Sequence, residues 1–66
     1  MAQDNTWWTL LIVIESITDS GSVALTSQLI PMISTEEQCK IIGARIIAEA
    51  TKAPNYHNGY FVSFQR

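Results

Sequence analysis

Charge is what this chain has least of. Only 15% of its 66 residues are charged, against about 25% in an ordinary domain. Basic residues are the scarcer sign: Lys40, Arg45, Lys52 and Arg66 stand against six acids, for a net charge of −2. No basic run or patch forms, so the positive field that nucleic-acid binding relies on is missing. Cys39 is the one cysteine, which excludes a disulfide within the chain. His57 is the one histidine, so a single copy cannot build a Cys₂His₂ or Cys₄ zinc centre. No metal or cofactor is expected.

Longer signals are also lacking. The apolar run from Trp7 to Ile14 is shorter than the roughly 20 residues a membrane-crossing helix needs. The residues before it carry an acid and no base, the reverse of a secretory leader. The expectation is therefore a cytoplasmic protein, with neither membrane nor nucleic acid as partner. No GxSxG, Walker, GxGxxG or HExxH pattern occurs, and no paired carboxylates are set to share a reaction. The expectation is that the protein is not an enzyme.

What is present is apolar: 47% of the residues are hydrophobic. A chain this size buries only about 60% of the surface its unfolded form exposes. Its core alone supplies roughly 3–5 kcal/mol, so such domains usually carry a disulfide, a metal or a partner. With the first two gone, a homo-oligomer, dimer or higher, is the expected staple.

The chain reads as one small domain over residues 1–66, with 1–6 expected to be frayed. Residues 7–18 are β-branched and aromatic and read as a first strand. Leu10, Ile12 and Ile14 take one parity, Leu11 and Val13 the other. A strand apolar on both faces belongs in the middle of a sheet. Asp19-Ser20-Gly21-Ser22 supplies a hairpin turn. A second strand follows over about residues 22–30, with Val23, Leu25 and Leu29 on one parity, and Pro31 is expected to end it.

A helix should begin at Ser34-Thr35-Glu36-Glu37. Ser34 with Glu37 makes a capping box, and Thr35 with Gln38 offers the same pattern one residue later. Pro54 forbids continuation, so the end is expected near residues 52–53. Cys39, Ile42, Gly43, Ile46, Ala50 and Ala53 share a face, with Ile47 at its margin. Gly43 is expected to let the helix backbone approach the sheet. Ile41, Ala44 and Ala48 form a second strip that a monomer would leave wet. Residues 53–59 read as a loop, and residues 60–65 as a third strand.

The fold class expected is α+β: a two-layer ββαβ unit, a three-stranded antiparallel sheet of order 2-1-3 with one helix on one face. One helix covers only one side of the sheet. Leu11, Val13 and Phe61, together with Ile41 on the helix, are the candidate oligomer-interface residues.

Chemistry-bearing residues are few. Cys39 falls on the predicted buried face and reads as a core residue. Tyr56, His57 and Asn58 form the most polar and aromatic stretch, in the expected loop, and are candidate binding residues. Trp7 and Trp8 point to opposite faces, so one is expected in the core and the other at a partner. The type is enriched in interfaces.

The capped segment Ser34-Thr35-Glu36-Glu37-Gln38-Cys39, the aliphatic run to Ala50 and the short closing strand resemble small uncharacterised proteins of tailed phages, marine phages in particular. The resemblance covers about half the chain and brings no known activity, so no residue inherits a role. Those proteins often have a second cysteine in the last strand, where this chain reads Tyr60-Phe61-Val62-Ser63-Phe64. The expected function is that of a small non-enzymatic, phage-type accessory protein acting by homo-oligomerisation and protein–protein contact, with a host or virion protein as candidate partner. The alternative is an oligomer that holds a small aromatic ligand between subunits. Dodecins hold flavin in this way, although their element order differs.

Overall fold

The computed structural model describes residues 7–65. The fraying expected of residues 1–6 lies outside them. Three strands and a helix follow in the order β1 (Trp8–Ile17), β2 (Val23–Ile33), α1 (Glu36–Ala50) and β3 (Tyr56–Gln65). The sheet order is β2-β1-β3, with both pairings antiparallel. This is the α+β ββαβ arrangement that the doubly apolar first strand implies.

The hairpin between β1 and β2 closes at Thr18. Its N–H donates to the Ser22 carbonyl at 2.7 Å, and its own carbonyl accepts from Gly21 N–H at 2.9 Å. Gly21 sits at φ +89°, a conformation that costs a residue without Cβ nothing.

β2 runs past Pro31, three residues beyond the expected end. The reason is its edge position. Thr18 N–H bonds β2, whereas Ile17 N–H bonds Asn55 on the β3 side at 2.8 Å. By strict alternation, even-numbered residues of β1 and of β2 face each other's hydrogen-bonding groups as far as Ile30, opposite Leu10. Pro31 is the next residue, and its missing N–H would have pointed outward, where the ladder does not need it. A register shift follows, so that Trp8 lies opposite Ile33. The extra residue is accommodated by Met32 at φ +67°, strained for a side chain with Cβ. That one-residue slip turns Ile33 from the open face to the helix side, where it is 7% exposed.

The helix is capped by Thr35, not Ser34: Gln38 N–H donates to Thr35 Oγ1 at 3.1 Å. It ends at Ala50, earlier than Pro54 demands. The last turn tightens: Lys52 N–H and Ala53 N–H donate to carbonyls three residues back, and the Thr51 hydroxyl donates to the Ala48 carbonyl at 2.7 Å. Ala53 is therefore outside the helix and exposed. Lys52 reaches Glu49 at 3.2 Å, but both side chains are over two-thirds exposed, so the pair adds little.

α1 lies mainly over β1 and β3. Leu10, Ile12, Ile33 and Cys39 are the buried hydrophobic core, with Trp8, Ile14, Ile30, Ile42, Ile46, Ile47 and Phe61 packed around it. Gly43 is buried against the Phe61 ring; a Cβ built there would sit 2.6 Å from the ring carbons. The close approach expected of Gly43 is what the fold uses. Phe61 itself is a correction: it lies opposite Ile12 and packs under the helix, not on the uncovered side.

Candidate interaction surface

The uncovered side of the sheet is built by register. Leu11 sits between Leu29 on β2 and Val62 on β3; Val13 sits between Ser27 and Tyr60. Thr9 lies opposite Phe64, Glu15 opposite Leu25 and Ile17 opposite Val23. Directly opposed residues share a face, so these side chains form one surface across three strands, apolar apart from Thr9, Ser27, Glu15 and Asn58. Leu25 is 68% exposed and Leu29 60%, while Tyr60, Val62 and Phe64 are also exposed. Leu11 and Val13 are half-buried only because their strand neighbours flank them. Beside the four buried hydrophobic residues and the seven packed around them, nine large ones among the described residues are exposed.

The candidate interface residues therefore divide. Leu11 and Val13 lie together at the centre of the open face. Phe61 is on the opposite side of the sheet. Ile41 is exposed on the outer side of α1, away from both. Leu25, Leu29, Tyr60, Val62 and Phe64 belong to the surface and were not singled out from sequence. Their signal was strand parity, once β2 and β3 are placed in register with β1.

The candidate binding residues do not meet at one place. Trp8 packs against the core and Trp7 is exposed, as expected of neighbours with opposite parity. Tyr56, His57 and Asn58 lie in β3, not in a loop. β3 starts four residues earlier than expected because a bulge absorbs its polar start: Glu15 lies opposite Asn58 and Ser16 opposite Tyr56, leaving His57 as the extra residue. Asn58 thus takes the open face, and Tyr56 turns to the helix side near Gly59 and Ile47. His57 Nε2 stands 3.9 Å from Glu15 Oε1, too far for a hydrogen bond. Trp7 and Glu15 are eight residues apart in sequence, or about 26 Å of strand. The tryptophan and the His57 group are at opposite ends of the molecule.

Cys39 is fully buried, and burial pushes its thiol pKa up, with the nearby Glu36 charge adding to the shift. The protonated thiol is the form held at neutral pH, which suits a packing role. Among the described residues, no group of three His, Cys, Asp or Glu could hold a metal ion. No described helix is long and apolar enough to cross a membrane. An open groove of about 510 Å³ runs between the outer flank of α1 and β3, lined by Ala44, Ile47, Ala48, Gly59, Tyr60 and Phe61. No protein-family model, no curated protein and no solved structure matches the chain.

Proposed function

We propose that this protein is a small non-enzymatic interaction module that works as a homo-oligomer, with the open sheet face covered by another copy. One observation carries the reading: Leu11 and Val13 are surrounded on that face by Leu25, Leu29, Tyr60, Val62 and Phe64, all exposed. Burying an exposed leucine side chain is worth roughly 1.5–3 kcal/mol. That is a large increment for a domain of this size. The likeness of the capped helix segment to small tailed-phage proteins supports an accessory role of phage type in the cytoplasm. A host or virion protein would then be the second partner, met through the exposed Trp7 or the His57–Asn58 end.

Val13→Lys places an ammonium at the centre of the face. In a monomer its long stem would lie on the sheet and its head reach water, at a cost of less than about 1 kcal/mol. In an oligomer the ammonium would lose its water, with Glu15, two residues along on the same face, as the one opposite charge in reach. The expected outcome is loss of the assembled mass, or unfolding. An unchanged mass and Tm would refute burial of this face.

The groove beside α1 favours a second reading. Its volume falls in the range of small-ligand sites, about 300–1,000 Å³, and its lining is apolar. An aromatic ligand held there between subunits would add a stoichiometric mass, or an absorbance beyond 300 nm, to the purified protein.

A further inference from the structure

β2 is exposed almost throughout. Residues 23–29 are exposed on both faces, because α1 lies over the other two strands. Among the described residues, β1 is its one strand neighbour. The alternation set by the Thr18 and Ile17 hydrogen bonds turns the N–H and C=O of Val23, Leu25, Ser27 and Leu29 toward the free edge. Edge strands are ordinarily protected by charge, by proline, by a bulge or by cover. Residues 22–30 hold no charged residue and no proline; Pro31 and the bulge at Met32 lie beyond them, at the end of the strand. β3, the other edge, carries a bulge at His57 and lies beneath the helix.

We infer that the free edge of β2 docks the β2 strand of a second copy, antiparallel about a two-fold axis at Ser27, giving a continuous six-stranded sheet. The sequence is self-complementary about that residue. A two-fold there sets Leu25 against the partner strand's leucine at position 29, and Thr26 against the glutamine at position 28. Further out, Ala24 meets an isoleucine, and Val23 meets Pro31, whose missing N–H ends the new ladder there, so apolar faces apolar and polar faces polar from residue 24 to residue 30. This is what an isologous contact requires, and the absence of charge means that no like-charge pair opposes it. Area supports the same occupant. A three-stranded face with strands about 4.8 Å apart and about 33 Å long projects roughly 480 Å². Stable partners commonly bury about 800 Å² each. Pairing at β2 leaves the odd-numbered side chains from Val23 to Leu29 on one side and doubles that face to roughly 960 Å².

The inference rests on the proposed self-association, but it uses the edge where that proposal uses the face. Amide hydrogen exchange on the oligomer separates them. Thr26 and Gln28 N–H groups bond β1 in either case. Paired edges would slow the Leu25, Ser27 and Leu29 amides to within about tenfold of those two. Fast exchange at these three amides in an assembled protein would overturn the edge contact and leave the face contact standing. A monomer with the same fast exchange would overturn both. Ser27→Pro is the companion variant: it removes an outward N–H without touching the β1 ladder. It is expected to halve the assembled mass while keeping the far-UV spectrum, and an undiminished mass overturns the edge contact.

Discussion

At the scale of single residues, the contact of Gly43 with the Phe61 ring sets how closely helix and sheet approach. Phe61 fills the space that a Cβ at position 43 would occupy. Gly43→Ala should gain about 1 kcal/mol of helix propensity and lose about 1–3 kcal/mol to overpacking, because the new Cβ would sit 2.6 Å from ring carbons of Phe61. The net expectation is a lower Tm, by several degrees in a domain of this size, measured at fixed protein concentration because assembly links to stability. A higher Tm would mean that the ring shifts freely. Cys39 supplies the second test. Its thiol should resist a disulfide reagent in the folded protein at pH 7 and react fully in denaturant. Its pKa is raised above the usual 9.0, so the folded state keeps its proton when the unfolded chain has lost it. Stability should therefore fall as pH rises above about 9 and level off beyond the folded value, a loss that Cys39→Ala should abolish. The packing role of Gly43 was legible in sequence, because a glycine on the apolar face of a helix needs a reason. The identity of its neighbour was not, since β3 parity alone does not say which side the helix takes.

At the scale of elements, the helix start separates two caps that sequence leaves open. Thr35→Ala should cost about 1 kcal/mol through the lost bond to Gln38 N–H, whereas Ser34→Ala should change Tm little. Equal losses would contradict the assigned cap. Both patterns satisfy the same local rule, and only the backbone path out of β2 chooses between them. The same applies to the strand ends. Pro31 stops a central strand and is tolerated at an edge, so its meaning depends on a neighbour that local sequence does not specify. Tyr56-His57-Asn58-Gly59 has the composition of a loop. It is recruited into β3 because Ser16 and Glu15 offer unpaired groups on β1 and a bulge at His57 takes up the mismatch. Strand order, by contrast, was readable from one feature: Leu10 to Ile14 is apolar on both parities, which only a central strand can use.

At the scale of the whole molecule, the balance of inside and outside is the feature that calls for explanation. One helix covers one side of the sheet, and it lies off-centre, leaving residues 23–29 of β2 bare on both faces. The candidate site was half legible. Leu11 and Val13 follow from parity in a central strand, and the parity of Val23, Leu25 and Leu29 was also visible. What parity could not supply was register, which brings Tyr60, Val62 and Phe64 onto the same face and sends Phe61 to the other. The most direct test is native mass spectrometry of the purified chain at micromolar concentration. The account predicts an even-numbered assembly of the 7.4 kDa chain. A clean monomer at every concentration would contradict it.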